Sequence, residues 1–200
     1  MATEPSIKGS ALSSVVEDVL ALRESGRVGA DRLELRLEPA DLALLDAKIQ
    51  PALWYPIESY RRLTELLLEV EGRGDWQYVA DRGARAAERL WEGGLYLQLQ
   101  HGEEKAAEAR RYGGVLTDRD ARLMTTLSGA IFNFTRWSYR VDGADALIEA
   151  TDAERLPEVS MHAARGFLEY VVGRLRRTET PIRATRPAPD RVQFRFRLGR

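Results

Sequence analysis

The spacing of the hydrophobic residues changes near Asn133, and this change limits the folds open to the 200-residue chain. Upstream of Asn133, apolar side chains recur mainly every three or four residues, as on one face of an α-helix. Downstream, apolar and polar residues alternate as in half-buried strands, apart from one helical stretch over residues 157–176. The predicted fold is therefore α+β, with a helical N-terminal two-thirds packed on a C-terminal antiparallel sheet built as hairpin, helix and hairpin.

Glycine and proline residues divide the helical part into segments. The predicted segments are a disordered tail over residues 1–10 and helices over residues 11–25, 56–72 and 75–91. Gly83 lies inside the last of these helices and weakens the prediction that it is continuous. Residues 29–49 fit either two short helices broken at Pro39 or a strand. Residues 95–100 fit a strand or a helix, and Thr117 and Asp120 have the spacing of a capping box.

The last third carries the signals for two hairpins. Asp142-Gly143 separates two alternating runs, which is a strong hairpin signal. Residues 182–186 and 191–198 form the second predicted hairpin, after the helix over residues 157–176. No Pro/Gly/Ser-rich linker interrupts the chain, so residues 11–200 are expected to form a single domain.

Composition excludes several kinds of chemistry. The chain has no cysteine and two histidines, which excludes disulfides, thiolate metal sites and cysteine nucleophiles. Gly-x-Ser-x-Gly, P-loop and Rossmann glycine motifs are all missing, so we predict no catalytic residue and no enzyme activity. No apolar run approaches the length of a membrane span, and we expect a cytoplasmic protein.

The stretch from Ser160 to Leu198 resembles the closing motif of the 4-vinyl reductase domain. The matching residues are His162, Gly166, Phe167, Val192, Phe194 and Phe196. Upstream, the stretch that begins PALWYPIESY is similar to an uncharacterised, mainly myxobacterial family with a 4-vinyl reductase-like ending. The resemblance implies a fold related to haem-based nitric-oxide sensor domains and to TRAPP subunits. It also implies a homodimer, or a domain that encloses a small molecule or acyl chain.

Two differences from the family argue against a metal site and against a haem site in this chain. Met161, Ala184 and Val192 stand where the family has cysteines. The run Trp137-Ser138-Tyr139-Arg140 contains residue types of the haem-propionate motif in a different order. We therefore expect no metal site and no cofactor.

Eight side chains are candidates for lining a ligand pocket, since such pockets are apolar with a few polar anchors. They are Trp54, Tyr55, Tyr60, Trp91, Trp137, Tyr139, His162 and Phe167. The alternative is that the aromatic residues belong to an ordinary core and that His162 is a half-buried structural histidine. His101 lies in a polar stretch and is expected to belong to a solvated loop.

Arginine is concentrated at the C-terminus, where residues 161–200 hold ten arginines against three acidic residues, although the chain as a whole has a net charge of −1. Five arginines are expected on the sheet face opposite the aromatic residues, as candidates for binding a partner or an anion. They are Arg136, Arg140, Arg183, Arg195 and Arg197. Pairing with acidic residues of the same chain is the alternative. Because nucleic-acid platforms place aromatic and basic residues on the same face, nucleic-acid binding is disfavoured.

The sequence thus predicts a non-enzymatic regulatory or sensor domain that binds a small hydrophobic ligand, a partner protein or both. The first alternative is a protein-interaction scaffold that uses the arginine face. Nucleic-acid binding ranks below both.

Overall fold

A computed structural model describes residues 4–92, 125–126 and 129–198 of the protein. Helices predominate in the first of these ranges, and strands predominate in the last. Among the helices are α1 (Gly9–Glu24), α2 (Ala30–Arg36), α3 (Pro39–Asp46), α4 (Ile57–Val70), α5 (Trp76–Glu92) and α6 (Glu158–Arg176). The strands are β1 (Ser6–Lys8), β2 (Trp54–Pro56), β3 (Arg136–Asp142), β4 (Asp145–Thr151), β5 (Arg183–Ala188) and β6 (Arg191–Arg197).

The predicted α+β fold is confirmed. Residues 29–49 contain two short helices, and Pro39 begins the second, because proline lacks an N–H that the first helical turn would leave unpaired. Helix α5 runs through Gly83 without a break, and Asp75 Oδ1 caps its start by accepting a bond of 2.9 Å from Gln77 N. Residues 95–100, the Thr117–Asp120 pattern and His101 lie outside the described residues. In the described residues, no helix is long and apolar enough to cross a membrane.

The N-terminus differs from the predicted disordered tail. Ser6–Lys8 pair antiparallel with Trp54–Pro56, and α1 already begins at Gly9. Ile7 is only 1% exposed and forms an isolated bridge with Phe132. The backbone N–H of Ser6 donates to Asn133 Oδ1 at 2.7 Å. A strand of three residues is too short to show an alternating pattern, so its partners in distant parts of the chain determine its conformation.

The C-terminal strands form one antiparallel sheet in the order β3-β4-β6-β5. Each hairpin joins neighbours along the chain, and the β4–β6 pairing joins the two hairpins. Gly143 has a φ of 64° in the first turn, a left-handed conformation that favours glycine, as the Asp-Gly signal predicts. Helix α6 makes the connection between the hairpins, as the sequence indicates.

An aromatic stack fixes the inner face of this sheet. Trp137 stacks on Phe194 with 5.7 Å between ring centroids and on Phe132 with 6.5 Å. Phe194 and Ile148, on neighbouring strands, are almost completely buried. This face and the helices contribute to one continuous hydrophobic cluster.

Helices α5 and α6 make the most extensive contact between elements in the described part of the chain. They cross at small residues, and the contact is reciprocal. A Cβ added to Gly83 would overlap the carbonyl oxygen of Ala163, and a Cβ added to Gly166 would overlap that of Ala80. The two backbones can approach this closely only because neither glycine carries a side chain.

Replacing Gly166 with alanine should therefore destabilise the protein by about 1–3 kcal/mol or more, since the added methyl group forces the helices apart. Gly83→Ala should have a similar effect. Gly173→Ala is the matched control in the same helix: its added Cβ meets the nearest atom, Thr178 O, at an ordinary 3.4 Å. The better helix propensity of alanine should make that variant neutral or up to about 1 kcal/mol more stable. Urea unfolding of the three variants tests this, and equal stabilities for Gly166→Ala and Gly173→Ala would contradict it.

A buried ion pair joins α3 to α4. Asp41 is completely buried, and its carboxylate accepts bonds of 2.5 and 3.0 Å from the Arg62 guanidinium. The backbone N–H of Glu38 donates to the same carboxylate at 2.9 Å. Burial alone raises the pKa of Asp41, but the bonds from Arg62, Ser59 and Glu38 outweigh it, so the pKa lies below its ordinary value of 3.8.

The lowered pKa makes this ion pair a pH-dependent source of stability. The contribution is complete above the ordinary pKa of an aspartate and is lost as the pH falls through the lower value of the folded protein. Asp41→Asn should destabilise the protein by about 3–5 kcal/mol at pH 7, because it leaves Arg62 without its buried partner. The stability of this variant should also depend less on pH below about 4. Chemical unfolding from pH 3 to pH 7 measures both effects, and parallel pH profiles for the two proteins would refute the assignment.

Candidate functional site

Helices α1, α4, α5 and α6 surround a cavity of about 540 Å³, which β3 and residues 130–132 help to line. Most of the lining is apolar. The large apolar or aromatic lining residues are Ile7, Val15, Tyr60, Val79, Leu90, Ile131, Phe132, Trp137, Phe167 and Leu168. Small residues line the walls between them, among them Ala11, Ala86, Ala163 and Ala164. This size and composition are typical of pockets that bind small molecules.

Two buried hydroxyl groups in the cavity wall have no hydrogen-bond partner. Ser160 on α6 and Thr64 on α4 are each 1% exposed, and both side-chain oxygens lack a partner in the described residues. Most buried hydroxyl groups in proteins are hydrogen-bonded, so these two are available to a bound molecule.

Tyr60 supplies a third hydroxyl to the lining. Burial raises the pKa of this phenol above its ordinary value of 10.0, although the charge of Arg82 and the Thr64 hydroxyl act in the opposite direction. Thr64 Oγ1 nevertheless lies outside good hydrogen-bond geometry. Tyr60 therefore stays neutral at physiological pH and can offer one O–H donor.

Three basic side chains, Lys8, Arg82 and Arg89, also line the cavity. Arg82 pairs with Asp18 and reaches the carbonyl oxygen of Ser14 at 3.4 Å, which ties α5 to α1. Of the lining residues that the structure describes, none is acidic. The polar part of this lining is therefore made of hydroxyl groups and cations.

Three of the eight pocket residues predicted from the sequence line this cavity: Tyr60, Trp137 and Phe167. The others lie elsewhere. Trp54 is 42% exposed beneath the Lys8 ammonium, and the Tyr55 hydroxyl accepts a bond of 2.9 Å from the backbone of Gln50. Trp91 is buried below Arg174, whose guanidinium lies 5.7 Å from its ring centroid. Tyr139 lies half-buried on the inner sheet face, on the edge strand β3.

His162 packs against an aromatic ring outside the cavity lining. Its ring stacks on Trp76 with 4.6 Å between centroids, and Nε2 lies 3.7 Å from a Glu158 carboxylate oxygen. Burial lowers the pKa of His162; Glu158 opposes this effect and Arg165 adds to it. The side chain is thus predominantly neutral at pH 7, and its buried Nδ1 has no hydrogen-bond partner among the described residues.

The sequence offered little sign of the small and hydroxylated residues in the lining. Ser160, Ala163, Ala164 and Ala86 look like ordinary helical residues in a pattern of apolar spacing. Their role depends on where α5 and α6 cross, which is a tertiary property. The one available signal was the clustering of alanine and glycine on these helices, which permits close helix packing.

The five predicted arginines share the outer face of the sheet, as the strand register requires. Two of them form ion pairs with neighbouring acidic residues. Arg195 lies 2.9 Å from Asp142 and 3.6 Å from Asp145, and Arg136 lies 2.8 Å from Asp152. The side chains without an ion pair to a described residue are those of Arg140, Arg183 and Arg197. The face thus combines arginines that pair within the chain with arginines that form no ion pair to a described residue.

Comparison with known proteins supports the fold. The sequence matches no protein-family model and no curated protein. A solved structure of a Cs H-NOX mutant with 4-cyano-L-phenylalanine at site 5 is similar, with a TM-score of 0.50 and 13% sequence identity over 96% of both chains. This likeness agrees with the α+β fold described above. At such low identity it concerns the fold alone.

The haem that the sequence resemblance associates with this fold does not fit the described part of the cavity. Haem iron is held by histidine, cysteine, methionine or tyrosine side chains. Tyr60 is the one described lining residue of these types. His162 stacks on Trp76 instead. The described residues also contain no group of three side chains that could hold a metal ion.

A substitution at Ser160 tests whether its hydroxyl lacks a hydrogen-bond partner. Ser160→Ala removes no hydrogen bond, so the variant should be as stable as the original protein or about 0.5–1 kcal/mol more stable. Thr180→Val is the control, because Thr180 is also buried but its hydroxyl donates to the Thr178 carbonyl oxygen at 3.1 Å and accepts from Arg176 at 3.2 Å. That variant should lose about 1–3 kcal/mol. Thermal and urea unfolding compare the two, and a loss at Ser160 as large as that at Thr180 would show that its hydroxyl is satisfied.

Proposed function

We propose that this protein is a non-enzymatic sensor or regulatory domain that binds a small hydrophobic molecule in the cavity between α1, α4, α5 and α6. The observation that carries the proposal is a largely apolar cavity of about 540 Å³ whose wall contains two buried hydroxyl groups without a partner among the described residues. In the free protein, such a cavity leaves apolar surface uncovered and polar groups without hydrogen bonds. A ligand with one polar end would cover the apolar surface and bond to the polar groups.

The proposal includes the finer expectations from the sequence. The chain is a single domain of the 4-vinyl reductase-like kind, acts in the cytoplasm, and forms a homodimer that transmits ligand binding to a partner. The H-NOX neighbour supports the fold that this requires. The resemblance of Ser160–Leu198 to the 4-vinyl reductase motif supports the more specific family.

A neutral probe tests the proposal without assuming the charge of the polar end of the ligand. 1-Decanol has an apolar chain and one hydroxyl group, and Trp137 in the cavity lining reports its binding by fluorescence. We expect saturable binding to the purified protein and loss of the spectral response in Trp137→Phe. Ala164→Phe should weaken decanol binding by about tenfold or more, because the new ring occupies the cavity.

Ala144→Phe is the control for this experiment. Ala144 is exposed in the β3–β4 turn, so the added ring there should leave decanol binding unchanged. Thermal unfolding of both variants verifies that they are folded. Absence of decanol binding, or equal binding by Ala164→Phe and the original protein, would refute the proposal that this cavity is the binding site.

A further inference from the structure

The charges around the cavity are segregated. The chain as a whole has nearly equal numbers of basic and acidic residues, 30 and 31. The described lining nevertheless contains Lys8, Arg82 and Arg89 and no aspartate or glutamate. A cavity for a fully apolar ligand has no need for three cations, because each cation must remain solvated or find an anionic partner.

The three cations differ in how their charge is balanced. Arg82 is held by Asp18, and its side chain is only 10% exposed. Lys8 donates to the carbonyl oxygen of Ala52 at 2.9 Å and lies 4.0 Å above the centroid of the Trp54 ring, so its contacts include no carboxylate. Each of these side chains is thus fixed in place at the cavity.

Arg89 has no such partner among the described residues. In the part of the chain that the structure describes, its guanidinium forms no ion pair. Arg89 follows Arg82 by seven positions, so the two side chains lie about two helical turns apart on the cavity side of α5. Arg89 is also exposed to solvent, which indicates a position where the cavity opens.

We propose that the ligand is an amphipathic anion, with an apolar body in the cavity and a carboxylate or phosphate headgroup that pairs with Arg89. This inference rests on the proposed function and specifies the class of ligand. The apolar body would lie against Phe132, Trp137 and Leu168, which line the cavity. The guanidinium would donate charge-assisted hydrogen bonds to the headgroup, as it does to carboxylates and phosphates in general, and Lys8 would add positive potential.

Three probes with the same ten-carbon chain separate the two parts of the ligand. They are decanoate, monodecyl phosphate and 1-decanol, titrated against Trp137 fluorescence at pH 8 and low salt, below the concentrations at which micelles form. At least one anion should bind more tightly than decanol, and added salt should reduce that preference. The anion with the larger preference identifies the headgroup class.

Arg89→Gln should lower the anion-to-decanol affinity ratio about three- to fivefold, the size expected for a partly solvated ion pair. Arg89→Lys keeps the charge and should retain most of the preference. Arg85→Gln is the matched control: Arg85 lies exposed on the same helix, outside the cavity lining, and its loss should leave the ratio unchanged.

The outcomes separate this inference from the proposed function. If decanol binds at least as tightly as both anions, or if Arg89→Gln and Arg85→Gln have the same ratio as the original protein, the amphipathic-anion inference is wrong and the hydrophobic ligand site stands. If none of the three probes binds, both are wrong. Since Arg89 is exposed, its replacement should not prevent folding, and thermal unfolding verifies this.

Discussion

The close contact between α5 and α6 determines where much of the cavity wall lies. Gly83 and Gly166 each face a backbone carbonyl oxygen of the opposite helix, so the distance between the helix axes is set by backbone atoms rather than by side chains. The same two helices supply Arg82, Ala86 and Ala163 to the lining. A contact between backbones has little freedom to relax, which keeps these wall positions fixed relative to each other.

The small size of several wall residues explains why a cavity remains beside an otherwise filled core. Trp137 on β3 stacks on Phe194 and on Phe132, and Phe194 and its inner-face neighbours on the adjacent strands are buried. The helical part of the cavity lining instead contains short side chains such as Ala164 and Ser160, where leucine or phenylalanine would fill more space. Because α5 and α6 are already in backbone contact, they cannot move closer to each other to fill that space.

Local patterns made most of the fold predictable. The Asp142-Gly143 turn, the alternation in the hairpins and the helical spacing after Pro56 each depend on a few consecutive residues, and the structure agrees with all of them. Strand β1 escaped detection because its conformation depends on β2 and on Phe132, far along the chain. The candidate site was predictable only in part for the same reason. An aromatic residue can face the cavity, like Tyr60 on α4, or lie exposed to solvent, like Trp54 on β2, and tertiary contacts decide which.

Many arginines of this protein form ion pairs with acidic residues of the same chain, and the cations of the described cavity lining differ from them. Arginines elsewhere show how readily this protein neutralises its own positive charges: Arg62 is paired with the buried Asp41, and Arg195 with two aspartates of the same sheet. Acidic residues are abundant enough to do the same around the cavity, yet they are missing from its described lining. A cation that no described carboxylate neutralises, beside an apolar space, favours a molecule that carries the opposite charge at one end only. A ligand with two charged ends would have to desolvate the second one against apolar side chains, and a neutral ligand would gain nothing from Arg89.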